Sequence, residues 1–183
     1  FGPGNLLRRT SPGAGMTVSG ATDTHVHGNR FEDNFGVGLA LTDRCFATRV
    51  HDNVFLRNGA TNASAQLSLA NLVTVSLLGN SVQNGFGDGV LVSGCANVTV
   101  APSTLAPTAI AGNTRLGLSL IGCTSVTMRA LMLQGNLANG GAGAQLQCTD
   151  SFQVSLTGAS ITAPTPVSGI SGISVQRGGS LTI

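Results

Sequence analysis

The sequence contains no Trp, no Tyr and no Lys, and only 9% of its 183 residues are charged. Its aromatic side chains, seven in number, are all Phe, so few flat rings are on offer to a ligand. The nine basic residues are all Arg, and against seven acidic residues they leave a net charge of +2. A charge this small and this scattered excludes the basic patch typical of nucleic-acid-binding proteins, so we expect no nucleic-acid partner.

Long apolar runs are also missing. None approaches the length of a membrane-spanning helix, and the N-terminus lacks the order of charged, apolar and small residues found in a signal peptide, so we expect no membrane insertion. The chain starts at Phe1 and stops at Ile183 inside a strand-like stretch. We therefore expect residues 1–183 to form a single domain that is part of a longer chain.

What the sequence does have is a repeat, which is the first feature to seek in a chain of this kind. An apolar residue followed three positions later by Asn recurs along the chain, and the apolar residue that opens the next stretch recurs with a similar period. The Asn markers are Asn29, Asn53, Asn80, Asn113 and Asn136, preceded by Asn5. The apolar markers are Phe46, Val73, Val98, Val126, Phe152 and Leu181.

Each repeat holds two alternating stretches, such as Val37 to Leu41 and Phe46 to Val50, divided by short segments rich in Gly, Asn and Asp. Alternation with period two predicts strands with one face turned inward. A coil of such short strands cannot bury its inward side chains alone, so successive coils must stack. The sequence predicts a solenoid of about seven coils and shows no helical period.

The strings GNRFEDNFGVGLAL, HDNVFLRN and GNSVQNGFGDGVLVSGCANVTV resemble the repeats of right-handed parallel β-helix proteins. This pectate-lyase-like superfamily includes polysaccharide lyases, polygalacturonases, mannuronan epimerases and virus tailspikes. The resemblance implies an all-β fold, a right-handed parallel β-helix built as a single-stranded solenoid. The alternative is a leucine-rich repeat, whose template fits Leu72 to Val82, but the second Gly-flanked strand in each unit argues against it.

The five Asn markers are predicted to form one structural ladder inside a corner of the solenoid, where stacked side-chain amides satisfy each other and the bent backbone. Two Pro-bearing loops, near residues 101–108 and 162–167, are expected to bulge from the stack, because Pro ends regular strand pairing. Neither loop carries a carboxylate, His or Arg. We therefore expect them to shape the surface rather than to perform chemistry.

One cluster of polar residues is a candidate site. If Thr24, Val26, Phe46, Thr48 and Val50 point inward, the residues between them point outward and bring all three His residues onto one patch. A carboxylate beside His and Arg could serve as a base and an anion clamp, as a lyase or epimerase requires, although the alternative is an ordinary solvent-facing strand. The candidates are His51, Asp52 and Arg49 for catalysis, and Asp23, His25, His27, Arg49 and His51 for substrate binding.

The four cysteines suggest packing rather than metal binding. Cys95 and Cys123 each lie three residues before their marker, so they should stack closely enough for a disulfide, or serve as small buried side chains in a ladder. Cys148 lies one step off, and Cys45 is isolated. Their spacings match no metal motif, so we expect no metal and no cofactor.

These observations favour a structural or polysaccharide-contacting β-helix repeat domain of a secreted, cell-surface or virion-surface protein. The alternative is a catalytic fragment of a polysaccharide lyase, epimerase or glycoside hydrolase that acts in a groove on an outer sheet. The sparse charge, the lack of Trp and Tyr rings and the absence of a superfamily catalytic motif favour the first hypothesis. Low surface charge also permits side-by-side packing, so a homo-trimer or fibre is expected as a form of assembly.

Overall fold

The computed structural model describes residues 1–10, 13–60, 65–137, 143–163 and 169–183. These residues form 21 strands and no helix. In chain order the strands are β1 Leu6–Arg8, β2 Met16–Ser19, β3 His25–His27, β4 Arg30–Glu32, β5 Leu39–Thr42, β6 Phe46–His51, β7 Val54–Leu56, β8 Ala65–Ala70, β9 Val73–Leu78, β10 Ser81–Gln83, β11 Asp88–Ser93, β12 Ala96–Ala101, β13 Ala109–Ala111, β14 Leu118–Ile121, β15 Thr124–Arg129, β16 Met132–Gln134, β17 Gly143–Thr149, β18 Phe152–Thr157, β19 Ser160–Thr162, β20 Ile170–Gln176 and β21 Leu181–Thr182.

Every third strand belongs to the same sheet. Sheet A contains β1, β4, β7, β10, β13, β16 and β19, sheet B begins with β2 and ends with β20, and sheet C begins with β3 and ends with β21. Neighbouring strands are parallel throughout, for example β9 with β12. Three consecutive strands thus make one coil, and coil 1 comprises β1, β2 and β3. The predicted all-β parallel solenoid is confirmed, and the leucine-rich repeat is excluded because both strands of the predicted unit lie in sheets.

Inward side chains of equivalent strands lie directly above one another. In sheet B, Leu41 pairs with Leu69, Leu69 with Val92, Val92 with Leu120 and Leu120 with Cys148. All five are buried. Burial of such a side chain stabilises the fold by about 1.5–3 kcal/mol. The column explains why no coil is stable alone, since each side chain is covered by the coils on either side.

The largest core side chains also stack in register. Phe31 of β4 lies under Phe55 of β7, with ring centroids 4.9 Å apart and planes inclined by 5°. Both rings are completely buried. Such a pair contributes about 0.5–1.5 kcal/mol beyond the burial of its area.

A residue with positive φ starts each tight corner between strands. At the corner from sheet C to sheet A, Asp52 has φ 54° and the next residue, Asn53, is buried. Gly79 and Gly158 occupy the same corner position in coils 3 and 6, with φ near 60°. Gly, Asn and Asp tolerate this backbone, which explains their recurrence at the predicted corners.

The prediction that Phe46 points inward is wrong. Ala47 has φ 52°, and its equivalents in later coils, Thr74, Asn97, Ser125 and Gln153, also have positive φ. This left-handed residue breaks the alternation at the start of β6, β9, β12, β15 and β18, so the first residue of each of these strands turns outward. Phe46 is 51% exposed, whereas Thr48 and Val50 are buried as expected.

The asparagine ladder is confirmed at the corner from sheet C to sheet A, but only for part of the predicted set. The side-chain amide of Asn5 donates to Asn29 (2.9 Å), Asn29 to Asn53 (3.4 Å) and Asn53 to Asn80 (3.1 Å). In the next coil Thr108 takes the equivalent position, and its hydroxyl accepts the backbone N–H of Gly79 at 2.8 Å. We call this the CA ladder, and it ends at Asn80.

Asn113 and Asn136, predicted to belong to the same ladder, lie instead at the corner from sheet A to sheet B. There the side-chain amide of Asn34 donates to Asn58 (2.8 Å) and that of Asn113 to Asn136 (2.8 Å). We call this second series the AB ladder. The sequence suggested a single ladder because an Asn follows a short strand at both corners, so the two series look alike in sequence.

A glutamine completes the AB ladder in coil 4, where the corner lacks Asn. Gly85 stands at the ladder position, and the amide of Gln66 occupies the space its side chain would need. Gln66 accepts from Asn58 at 3.1 Å and donates to Asn113 at 2.7 Å. At the far end Asn136 donates to Gln145 at 2.8 Å. The hydrogen bonds therefore run without interruption from coil 2 to coil 6.

The four cysteines are buried free thiols. Cys95 and Cys123 occupy stacked positions, but no disulfide joins them. The Sγ of Cys95 accepts the backbone N–H of Leu72 at 3.4 Å, and the Sγ of Cys123 donates to the carbonyl of Val92 at 3.3 Å. Burial raises the pKa of Cys95 and of Cys148 to about 11. The cysteines therefore act as small corner and core side chains.

Of the two predicted loops, the first lies between β12 and β13 and is fully described. Within the second, residues 164–167 lie outside the described part of the chain. No helix in the described ranges is both long and apolar enough to cross a membrane.

Candidate functional site

An open groove of about 520 Å³ lies on the outer face of sheet C, in coils 2 to 4. Its floor is formed by outward side chains of β6 and β9, and one wall by the loop that follows β12. This arrangement places the first Pro-bearing loop beside the predicted polar cluster. We call it the sheet C groove, lined by Arg49, His51, Asp52, Ser76, Leu78, Pro102, Ser103 and Thr104.

The wall loop is held by hydrogen bonds at both ends. The backbone N–H of Ser103 donates to the carbonyl of Ala106 at 2.9 Å, which closes a tight turn. The hydroxyl of Thr108 donates to the carbonyl of Ala101 at 2.6 Å, which ties the end of the loop to its start. The Ser103 hydroxyl then reaches back to Asp52 at 2.5 Å. The loop is thus fixed to the corner of coil 2, not merely attached to coil 4.

Gly79 makes this contact possible, because it lies between Asp52 and Ser103 in the stack. A Cβ built at Gly79 would collide with the Ser103 hydroxyl and would lie 2.7 Å from the Asp52 carboxylate. Gly79 also has φ +61°, which favours glycine independently. The missing side chain lets the residues of two non-adjacent coils meet across it.

His51 and Asp52 form the polar centre of the groove. Nδ1 of His51 lies 2.9 Å from Oδ2 of Asp52. The ring of His27, one coil earlier, stacks on the ring of His51 with centroids 4.9 Å apart and planes inclined by 4°. The carboxylate fixes one edge of the His51 imidazole and the stack fixes its plane, so the ring is held in one orientation.

Asp52 is ionised at neutral pH. Burial by itself raises the pKa of this carboxyl, but the hydrogen bonds from His51 and Ser103, with the charges of His51 and His27, outweigh that effect and lower it. An ionised Asp52 favours a proton on Nδ1 of His51, which leaves Nε2 as the basic nitrogen.

Arg49 supplies an uncompensated positive charge. It is exposed on β6, paired in register with His25 on β3 and with Ser76 on β9. Among the described residues, no carboxylate lies within ion-pair distance of its guanidinium. Such a guanidinium can bind a carboxylate or another planar anion through two parallel hydrogen bonds.

The structure brings together only part of the predicted cluster. Arg49, His51 and Asp52 line the groove, and His27 supports it from behind. His25 lies beside Arg49 outside the groove lining, and Asp23 lies before β3 and forms no side-chain hydrogen bond to any described residue.

The order of contacts limits the chemistry available. Asp52 lies between Ser103 and His51, so the serine hydroxyl donates to the carboxylate and is not activated by the imidazole. A serine nucleophile needs the histidine in the middle position. Two-carboxylate glycoside hydrolysis is equally disfavoured, because Asp52 is the single carboxylate among the described groove residues. No group of three or more His, Cys, Asp or Glu in the described ranges is arranged to hold a metal ion.

Two residues of the site, Ser103 and Gly79, did not emerge from the sequence. The loop was predicted, but its direction was not, because the contact from Ser103 to Asp52 spans 51 positions along the chain. The sequence feature that could have indicated a site here is the pair Pro102 and Pro107, which flank a Ser and a Thr in an otherwise regular repeat.

The comparison with known protein families agrees with this architecture. The sequence model of a family described as "Right handed beta helix region" matches residues 5–105. No curated protein matches the chain significantly. Among solved structures, one similar chain is the catalytic unit of a thermostable GH87 α-1,3-glucanase from Streptomyces thermodiastaticus strain HF3-3. It shares 16% identity at a TM-score of 0.39, over 93% of this chain and 46% of the glucanase chain. This chain therefore spans less than half of that one, and a likeness of this size carries no conclusion about activity.

Proposed function

The chain belongs to the family of right-handed β-helix regions, and from this premise we propose that it is a polysaccharide-contacting repeat domain of a secreted, cell-surface or virion-surface protein. The observation that carries the proposal is the sheet C groove. It is open, and it offers a free guanidinium, an oriented imidazole and loop hydroxyls side by side. Polar groups that converge in a cleft are the usual way to fix the orientation of a hydroxyl-rich ligand.

The groove favours an acidic sugar unit. Arg49 is uncompensated, and the one carboxylate, Asp52, already accepts hydrogen bonds from Ser103 and His51. The guanidinium of Arg49 is therefore free to bind the ligand, whereas the carboxylate of Asp52 is occupied by hydrogen bonds within the protein.

Binding to immobilised polysaccharides tests this proposal. We expect the double variant Arg49→Ala/His51→Ala to bind an acidic polysaccharide such as polygalacturonate or alginate at least tenfold more weakly, since hydrogen bonds to charged groups contribute about 1.5–3 kcal/mol. Arg44→Ala is the matched control, because Arg44 is exposed between β5 and β6 and lies outside the groove lining. If the wild-type chain binds no polysaccharide of an acidic and neutral panel, the proposed function is wrong.

The held orientation of His51 favours a second candidate function, β-elimination or epimerisation of a uronate. Nε2 of His51 would take the proton next to the sugar carboxylate, and Arg49 would neutralise the charge that develops on that carboxylate. In elimination the bond to the leaving glycosidic oxygen breaks, that oxygen gains a proton from water, and a carbon–carbon double bond forms.

Activity separates the two candidates. Elimination produces an unsaturated uronate that absorbs in the ultraviolet, and the catalytic candidate predicts that His51→Ala abolishes this absorbance while Arg44→Ala retains it. A wild-type chain that binds acidic polysaccharide without releasing an unsaturated or epimerised product would restrict the domain to binding.

We also propose that several copies pack side by side, as a trimer or fibre. The support is the low charge of the surface, which leaves little electrostatic repulsion between parallel rods. Sedimentation velocity at two salt concentrations checks this, with a monomer at all concentrations as the contradicting result.

A further inference from the structure

Beyond the groove, the outer face of sheet C carries a regular row of hydroxyl groups. The register pairs Ser76 with Thr99, Thr99 with Thr127, and Thr127 with Ser155. Parallel strands lie about 4.8 Å apart, so the row presents one hydroxyl at each such step. None of these hydroxyls forms a hydrogen bond to a described residue. Their donors and acceptors are therefore available to a ligand.

Exposed phenylalanine rings lie near the two ends of this row, one in coil 2 and one in coil 6. Phe46 and Phe152 occupy the first position of their strands, where the following left-handed residue turns the side chain outward. They are 51% and 49% exposed. A Cβ built at Gly179 would lie 2.6 Å from Cδ1 of Phe152, so this ring packs directly on the backbone of the next turn. The sequence had suggested that ring platforms were lacking, but the backbone conformation supplies two.

The same face is almost free of charge. Strands β9, β12, β15 and β18 contain one charged residue, Arg129, at the end of β15. A neutral surface provides no positive charge to bind an anionic ligand, whereas the sheet C groove provides the guanidinium of Arg49. The two parts of one sheet therefore differ in the ligand chemistry that they favour.

From these observations we propose that the outer face of sheet C in coils 3 to 6, with Phe46 of coil 2 at its edge, binds an uncharged, hydroxyl-rich polysaccharide segment that lies along the stacking axis. The hydroxyl row pairs with sugar hydroxyls, and Phe46 and Phe152 stack against the apolar faces of sugar rings. A row with a constant repeat favours a polymer over a single sugar, because many weak contacts then act together. Ser76 lines the groove and also begins the row, so groove and face form one continuous track. The inference rests on the proposed polysaccharide-contacting function and adds a ligand class and a second surface.

Binding to neutral polysaccharides such as cellulose and an α-glucan tests the inference, with polygalacturonate as the acidic comparison. We expect Thr99→Val/Thr127→Val to weaken neutral binding about tenfold, since two hydrogen bonds are lost. Phe152→Ala should weaken it about fivefold. Thr17→Val, an exposed threonine on sheet B, is the matched control and should have no effect.

The outcomes distinguish this inference from the proposed function. If the wild-type chain binds only the acidic polymer, the proposed function stands and the neutral face is overturned. If it binds neither, both fail. Neutral binding that the Thr and Phe variants leave intact also overturns the inference. So does a dimer in sedimentation that these variants dissociate, because the face would then contact a second copy of the chain.

Discussion

The two corners that border sheet A are built from the same kind of residue but differ in continuity. The AB ladder passes its hydrogen bonds from Asn34 to Gln145, and Gln66 fills the coil where Gly85 leaves a gap. The CA ladder stops at Asn80, and the wall loop of the groove emerges at the next coil. The continuous corner is framework, and the interrupted corner is where the fold places its candidate site.

The largest expected effect is a loss of stability on removing one Asn from the AB ladder, compared with removing one from the CA ladder. Asn113→Ala removes a buried amide that accepts from Gln66 and Gly85 and donates to Asn136, and leaves those groups without partners. We expect it to lower the free energy of unfolding by about 4 kcal/mol, and Asn80→Ala, which removes three such hydrogen bonds rather than four, by about 3 kcal/mol. Urea denaturation followed by circular dichroism measures both. Equal losses would contradict the distinction between the two corners.

Gly79 and its equivalent Gly158 differ in what surrounds them. Both have φ near +60°, but a Cβ meets the Asp52 carboxylate and Ser103 at Gly79 and nothing within 4 Å at Gly158. Gly158→Ala should therefore cost only the strain of a left-handed Ala, about 1 kcal/mol, and Gly79→Ala about 3 kcal/mol. Thermal unfolding of the two variants gives the comparison. If their melting temperatures fall equally, the contact across Gly79 does not hold the loop.

A smaller effect, an increase in stability, is expected from a substitution in the core behind the groove. The Thr48 hydroxyl is buried without a hydrogen-bond partner, while the next residues of its column, Val75 and Val98, are apolar. Thr48→Val should raise the free energy of unfolding by about 1 kcal/mol. Thr99→Val, on the exposed face of the same sheet, serves as a control and should change stability little. Destabilisation by Thr48→Val would show that this hydroxyl has a role in the fold.

Whether a feature could be predicted from the sequence depends on how far apart along the chain the interacting residues lie. Alternation within a strand is local, so Arg49, His51 and the buried Val50 were placed correctly on their faces. Phe46 was not, because its orientation depends on a left-handed Ala47, and alanine gives no sign of that conformation.

Longer-range features were harder to read. The interval from Asn80 to Asn113 contains one coil, from Asn80 to Thr108, and then the crossing of sheet A to the other corner. Spacing alone did not separate these two parts. Ser103 was missed because its contact depends on a missing side chain in the coil between.

The smallest predicted effect is a pH dependence of the interrupted corner. Since the folded-state pKa of Asp52 lies below its ordinary value of 3.8, its contribution to stability is present above that pH and is lost as pH falls through the folded pKa. Asp52→Asn should therefore lose less stability than the wild type between about pH 5 and pH 2. Melting temperatures measured across this pH interval test the prediction. If they fall by the same amount in the two proteins, the lowered pKa of Asp52 is contradicted.

Hydroxyl-radical footprinting with a bound polysaccharide tests most directly whether sheet C, rather than the ladder corners, is the contact surface. Phe46 and Phe152 on sheet C and Phe86 beside the AB ladder are about equally exposed, at 51%, 49% and 46%. They therefore report on the two regions with the same chemistry. We predict that saturating polysaccharide protects Phe46 and Phe152 from oxidation and leaves Phe86 unchanged. Protection of Phe86 without protection of the two sheet C rings would contradict the account.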